Sequence, residues 1–267
     1  MFRTTQEVTV RLKDTVVAVT GAAGGIGEGI ARILLAEGAR MALWDLSAEA
    51  TAAVAARIDP AGDRTLALAV DVTDESAVAR GIDSTATHFG RLDGLVNNAG
   101  TITMNAAWDA TAAEWQRHLA VNVTGTFLCA QAAGRYFKQH GGGRIVNVAS
   151  NAGKVGYQNM AAYNASKAAV ISLTRSLALE WSGENINVNA VCPGGVDTPM
   201  LAQVAEWLSP RLDVPAAELL AGMGASGLGG RRIQPDEVAR VIAFLLSDDA
   251  IIIRGQSISV DGGDTPY

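Results

Sequence analysis

Tyr163 and Lys167, four residues apart in Tyr163-Asn164-Ala165-Ser166-Lys167 at the opening of a long apolar-periodic run, place a phenol and an ammonium on one face of a helix. An unperturbed tyrosine titrates near pH ~10 and is a poor acid or base at neutrality. A fixed positive charge within a few ångströms favours the phenolate and lowers that value, so Tyr163 is expected to exchange a proton with a substrate. Alone, such a spacing is more often a surface lysine beside a half-buried tyrosine. Whether it is more here depends on what the rest of the chain builds around it.

Strand and helix patterns alternate through most of the 267 residues. The β-branched run Thr15–Thr20 ends in the glycines of Gly21-Ala-Ala-Gly-Gly-Ile-Gly27, and a helix from about Gly25 to Glu37 carries Ile26, Ile30, Ile33 and Leu34 at helical spacing. A second strand closes at Asp45 before an alanine-rich helix over 47–58; a third, 65–70, ends at Asp71 before a helix over 74–89. A fourth, 92–96, runs into Asn97-Asn98-Ala99-Gly100, and a long helix over 111–137 leads to strand 143–149. The helix of Tyr163 reaches Trp181, strand 187–191 ends at Cys192-Pro193-Gly194, and helix 235–246 precedes a last strand, 257–260. This alternation predicts an α/β fold with a parallel sheet and helices on both faces. No repeat, low-complexity linker or charge block divides it, so residues 1–267 are read as one domain. Alternation fails at about 199–232, where two short helices and a glycine-rich run suggest a substrate lid.

Composition excludes several partner classes. At 49% hydrophobic residues the chain builds a sizeable core, and a net charge of −6 with dispersed signs offers no basic stripe for nucleic acid. The start, MFRTTQEVTVRLKD, has no apolar leader segment, and no apolar run approaches the ~20 residues of a membrane span, so a cytoplasmic protein is expected. Cys129 and Cys192 read as buried thiols; His88, His118 and His140 show no metal-ligand spacing and read as solvated helix residues. No metal is expected.

A glycine turn between a strand and a helix lets backbone N–H groups and the positive helix end face a pyrophosphate, a role that Gly21, Gly25 and Gly27 fit. Asp45, at the end of the second strand, stands where an acid accepts hydrogen bonds from adenosine ribose hydroxyls. Asp71 suits an adenine edge or, equally, a helix N-cap. Together TGAAGGIG (20–27), DVT (71–73), NNAG (97–100), NV (122–123), Ser150, YNASK (163–167), PGGVDT (193–198) and DGG (261–263) resemble the classical short-chain dehydrogenase/reductase family, in order and spacing, over essentially the whole chain.

That resemblance implies a Rossmann-type, doubly wound sheet of seven parallel strands, a nicotinamide dinucleotide at the strand carboxyl ends, commonly a homotetramer, and a catalytic set of Asn122, Ser150, Tyr163 and Lys167. Tyr163 would move the proton that accompanies hydride transfer, and Lys167 would depress the phenol and hold the nicotinamide ribose. Ser150 would hydrogen-bond the substrate oxygen, though a strand-end hydroxyl also simply caps turns. Asn122, by a local backbone kink or its side chain, would hold a water leading to Lys167; otherwise it is a helix-surface residue. The cofactor set comprises Gly21, Gly25, Ile26 and Gly27 in the turn, Asp45 and Leu46 after the second strand, and Asp71 and Val72 after the third. Asn98, Ala99, Gly100, Tyr163, Lys167, Pro193, Gly194, Val196 and Thr198 complete it. Cys192 departs from the family's commoner small or polar residue before Pro-Gly, without a base or cation nearby in sequence to make it a nucleophile.

NAD is the expected cofactor. The Asp45 carboxylate would repel a 2′-phosphate, Leu46 and Ala23 bring no cation to neutralise one, and Arg40 lies at the far end of the strand. The expected activity is hydride transfer between NAD and a secondary alcohol or ketone, with a small polyol, diol or sugar-like alcohol as substrate. Asn151, Tyr157, Gln158 and Asn159 beside Ser150, and Gln203, Glu206 and Trp207 on one lid face, suit hydroxyls. The apolar lid residues Leu201, Val204, Leu208, Leu212, Val214, Leu219 and Leu220 suit a fatty substrate or plain packing. The alternatives are a 3-oxoacyl-thioester reductase, which would want a basic patch for an acyl carrier, and a non-catalytic dinucleotide-binding scaffold.

Overall fold

Buried along its whole length, Val16–Thr20 forms strand β1 in the interior of the sheet. Its residues alternate between two cores: Val17 and Val19 join one apolar cluster, Val16 and Ala18 the other. A strand apolar on both faces is what a sheet covered by helices on each side demands. The computed structural model describes residues 10–224 and 226–265; most of the polar N-terminal stretch read for a leader segment lies outside the described residues.

The remaining strands are β2 (Arg40–Asp45), β3 (Thr65–Ala69), β4 (Gly94–Asn97), β5 (Gly143–Val148), β6 (Ile186–Pro193) and β7 (Ser257–Val260). They pair in the order β3-β2-β1-β4-β5-β6-β7, every pair parallel, with Val19 opposite Leu43 and Val96. The helices are α1 (Gly25–Ala36), α2 (Ala48–Ile58), α3 (Glu75–Phe89), α4 (Ala112–His118), α5 (Thr126–Gln139), α6 (Ala161–Glu180), α7 (Pro199–Leu212), α8 (Ala216–Gly222) and α9 (Pro235–Leu246). One face carries α1 and α9, packed so closely that a Cβ at Gly29 would lie 2.6 Å from the Pro235 ring. The other carries α3, α5 and the C-terminal half of α6. This is the parallel α/β fold that the alternation predicts, in the Rossmann-type, doubly wound form of seven strands that the family resemblance implies.

Helix starts follow local chemistry. Ser47, Asp74 and Thr111 cap α2, α3 and α4 through their side chains, and Thr111 and Glu114 form a reciprocal capping box. Thr198 caps α7, with Pro199 in its first turn. The long helix expected over 111–137 is interrupted: between α4 and α5 the chain widens into a π-helical segment, Leu119–Gly125. Such wide turns mark functional sites more often than ordinary helix does, and Asn122 is inside this one.

Candidate active site

The order in which strands join the sheet reverses about β1: β2 and β3 lie on one side of it, β4 to β7 on the other. Ligands of open α/β sheets bind at that reversal, beyond the carboxyl ends of the strands. A cavity of about 830 Å³ opens there, running from Asp45 past Gly21 and Gly25 to Tyr163 and Lys167. Gly25 has φ of +57°, and Gly27 leaves no room for a side chain because a Cβ there would sit 2.0 Å from the Gly21 carbonyl oxygen. The Asp45 carboxylate accepts hydrogen bonds from the Ala23 N–H at 3.0 Å and the Leu46 N–H at 2.8 Å. Two amides thus fix an anion at one end of the cavity. Asn98, whose amide donates to the carbonyls of Thr20 and Gly21 at 3.0 and 2.9 Å, locks the glycine turn against the end of β4.

At the other end Lys167 is buried, 5% exposed, and its Nζ donates to the Val148 carbonyl at 2.8 Å and lies 5.8 Å from the centroid of the Tyr163 ring. Burial pushes the ammonium down to about 8. The Tyr163 phenol is shifted upward, again by burial, against an opposing hydrogen bond with the Ser150 side chain. This corrects the expectation of a depressed phenol: in the protein alone, loss of water disfavours the phenolate, and Lys167 faces the ring and a carbonyl oxygen. Ser150 also accepts the Ala152 N–H on its Oγ at 3.1 Å and so caps a short turn, the second of its expected readings. Asn122 is buried, not on a helix surface. Its Nδ2 donates to Thr101 O at 3.0 Å and Ser166 Oγ at 2.9 Å, and its Oδ1 accepts the Thr101 N–H at 2.8 Å. Gly100 sits between this side chain and Lys167: a Cβ there would lie 3.4 Å from Asn122 Oδ1 and 3.6 Å from Lys167 Nζ.

Comparison with known proteins settles the class. The sequence pattern of the family described as enoyl-(acyl carrier protein) reductase matches residues 21–265. The 2-(S)-hydroxypropyl-CoM dehydrogenase 3 of Xanthobacter autotrophicus is 41% identical over 96% of this chain and 98% of its own. The cis-4-hydroxycyclohexanecarboxylate dehydrogenase of Sinomonas cyclohexanicum is 42% identical over 94% and 97%. A crystal structure of actinorhodin polyketide ketoreductase with NADPH superposes with a TM-score of 0.90 at 35% identity, covering 95% of this chain and 98% of that one. The chain belongs to the classical short-chain dehydrogenase/reductase family. It is an alcohol dehydrogenase/ketone reductase of that family, acting between a secondary alcohol and a ketone. Its dinucleotide fold implies a nicotinamide cofactor, and the glycine turn with its forbidden Cβ, the cavity and the amide-held Asp45 fit one.

Not every residue expected to touch that cofactor borders the cavity of this dehydrogenase/reductase. Gly21, Gly25, Ile26, Asp45, Asn98, Ala99, Gly100, Pro193, Gly194, Val196 and Thr198 line it, as do Tyr163 and Lys167. Gly27 shapes the turn from behind, and Leu46 is 72% exposed beside it. The Asp71 carboxylate accepts the N–H and hydroxyl of Thr73 at 2.8 and 2.7 Å, a turn-forming use, while Asp74 caps α3. Val72 is buried, in contact range of Gly125. The Thr198 hydroxyl is held as the cap of α7.

The lid residues turn the other way from the polar expectation. Leu201, Val204 and Leu208 border the cavity of the dehydrogenase/reductase, whereas Gln203 and Glu206 are exposed, and Trp207 is covered by the Arg211 guanidinium 3.5 Å above its ring. Asn151, Tyr157, Gln158 and Asn159 do line the cavity, and Asn151 Nδ2 donates to the Tyr157 hydroxyl at 2.8 Å. Sequence reasoning missed Ile102, Met104 and Asp264, which also line the cavity. The only signal for the first pair is that they follow a strand-end Asn-Ala-Gly. It also misplaced His118, which is 1% exposed and not solvated; His88 and His140 are exposed as expected. Cys129 and Cys192 are buried thiols, both pushed up by burial, Cys129 to about 12, which leaves neither as a nucleophile.

Proposed function

We propose that this protein interconverts a small uncharged secondary alcohol and its ketone with NAD(H), using Tyr163 as the acid–base group, as a cytoplasmic homotetramer. The observation that carries the cofactor choice is Asp45, oriented by the Ala23 and Leu46 amides at the cavity end away from Tyr163. It suits ribose hydroxyls, which donate to a carboxylate, and opposes a phosphate ester, which brings a second anion. Arg40, the cation nearest in sequence, lies at the opposite end of β2, over the Phe89 ring. The test is the ratio of kcat/KM for NAD⁺ and NADP⁺. Wild type should favour NAD⁺, and Asp45→Ala should shrink the ratio at least about tenfold, the equivalent of ~1.4 kcal/mol. A wild type that favours NADP⁺, or a ratio unmoved by the substitution, overturns the choice.

Bound nicotinamide would take up or return the hydride at the alcohol carbon. Gly21, Gly25 and Ile26 would face the pyrophosphate at the α1 N-terminus, and Lys167 the nicotinamide ribose. In alcohol oxidation Tyr163 accepts the hydroxyl proton as the C–H pair leaves; in reduction it returns the proton to the developing alkoxide. Ser150, hydrogen-bonded to that phenol, fixes where the substrate oxygen sits.

The cavity walls support the substrate class. Asn151, Tyr157 and Gln158 offer a polar edge, and Ile102, Met104, Leu201, Val204 and Leu208 an apolar wall. Apart from Lys167, no cationic side chain lines the cavity among the described residues, and Asp264 adds an anion. Carboxylates, phosphates and acidic carrier proteins therefore find no counter-charge, which sets the reading apart from the relative named for a hydroxycyclohexanecarboxylate and from a 3-oxoacyl-thioester reductase. A vicinal diol or cyclic alcohol, with a second hydroxyl toward Tyr157 and hydrocarbon against the lid, matches both walls. A panel of butane-2,3-diol, cyclohexane-1,2-diol, cyclohexanol, a hydroxycyclohexanecarboxylate and a 3-oxoacyl thioester tests this. Faster turnover of either charged class sinks it.

A further inference from the structure

We propose that His118 is a positioning residue that holds the substrate-facing wall 101–104 in place through the backbone of Thr103. The wall has no strand neighbour, and its fixing points alternate. Asn122 holds both the N–H and the carbonyl of Thr101, His118 Nε2 receives the Thr103 N–H at 3.0 Å, and the Asn105 N–H donates to Asn159 O at 2.9 Å. The residues between, Ile102 and Met104, are the ones that face the cavity. His118 and Asn122 are four residues apart, so one stripe of a helix grips two alternate residues of the wall.

The ring's partners determine its form. Nδ1 lies 2.7 Å from the Glu114 carbonyl oxygen, which only accepts, and Nε2 receives the Thr103 N–H, which only donates, at 3.0 Å, with the Thr103 hydroxyl farther off at 3.4 Å. These partners put a ring proton on Nδ1 and commit the acceptor side of Nε2 to Thr103. Its edge also meets Tyr163, with centroids 6.4 Å apart. The ring that places the wall thus lies against the ring that moves the proton. Because Nε2 accepts the Thr103 amide, its loss should free Ile102 and Met104, while the glycine turn and Asp45, which His118 does not bond, should stay in place.

Three substitutions separate this role from general packing. His118→Leu keeps bulk but removes both ring nitrogens. His118→Asn reaches only the Glu114 carbonyl. His118→Gln carries its amide oxygen to where Nε2 stands. KM for the alcohol is expected to rise at least about tenfold in the Leu and Asn variants, with kcat changed less than about threefold and Gln restoring KM to within about threefold, as a misplaced wall rather than a lost acid–base group predicts. NADH affinity, read by fluorescence, should stay at the wild-type value in all three. Hydrogen–deuterium exchange of the 100–105 segment should accelerate in Leu and Asn and not in Gln. The KM comparison rests on the substrate reading above; the exchange measurement needs no substrate and decides the role of His118 even where that reading fails. Unchanged exchange in Leu and Asn, a Gln variant that behaves like them, or a parallel loss of NADH affinity overturns the proposal. If Leu does not fold, the Asn and Gln pair gives the same decision.

Discussion

Burial acts on Tyr163 and Lys167 in opposite directions, raising the phenol and lowering the ammonium to about 8, so the site on its own resists charge at both groups. Their titration belongs to the pair. Alcohol oxidation needs the base form of Tyr163, which accumulates as protons leave, so kcat/KM for oxidation should rise with pH through neutrality into the alkaline range, and that for ketone reduction should fall. A flat profile in both directions would show that another group carries the proton. Tyr163→Phe removes the hydroxyl and keeps the ring; kcat should fall by ~10²–10⁴-fold with NADH affinity nearly intact. Lys167→Ala should impair both, because Nζ, which donates to the Val148 carbonyl beside Gly100, is the group proposed to hold the nicotinamide ribose. Turnover near wild type in Tyr163→Phe ends the proposed chemistry.

At the scale of elements, two devices hold the site. The first is the turn between β1 and α1, where a Cβ at Gly27 would meet the Gly21 carbonyl; Gly27→Ala should give a folded protein whose NADH affinity drops, since the intruding methyl would displace the turn proposed to face the pyrophosphate. Wild-type affinity in that variant would mean the turn has slack the structure does not show. The second is the anchorage of α7 and α8. Arg232 donates to Asp197 at 2.9 Å and to the Leu220 carbonyl at 3.1 Å, and Arg231 pairs with Glu237 through both carboxylate oxygens, holding that acid down at about 2. The Arg232–Asp197 pair is only partly covered, and such pairs contribute little, ~0–1 kcal/mol, so Arg232→Ala should barely change the melting temperature. It should nonetheless raise KM for the alcohol, because the Leu220 carbonyl loses its tie to the rest of the chain. An unchanged KM would show that α7 and α8 are held by packing alone.

For the whole molecule, stability comes from the two apolar layers on either side of the sheet. Ile242 on α9 is fully buried in one of them, and Ile242→Ala should cost ~2–5 kcal/mol in denaturant unfolding without changing the ratio of NAD⁺ to NADP⁺ use. Assembly is tested separately: light scattering should give four times the chain mass of 27.6 kDa. Leu179, 79% exposed on α6, and Phe127, 37% exposed on α5, are large apolar side chains that a further copy would cover. A monomeric mass at micromolar concentration would remove the tetramer from the proposal.

Strand–helix alternation, the glycine turn after β1 and the acid closing β2 were legible in the chain because each is a local pattern: a period, a turn that only glycine makes, a residue at a strand end. The motifs read with them likewise pointed to the family. What remained hidden depended on contacts between segments far apart in sequence. Whether Asn122 sits inside or outside its helix is decided by Thr101 and Ser166, and whether His118 is wet or dry by Thr103 and Tyr163. The direction of the Tyr163 shift depends on how much water the folded chain excludes, which a four-residue spacing does not encode. The facing of the lid was undetermined for the same reason. Its helix has a polar side and an apolar side, and periodicity reveals that both exist; only the tertiary structure, by closing α7 over the cavity, turned Leu201, Val204 and Leu208 inward and left Gln203 and Glu206 in water.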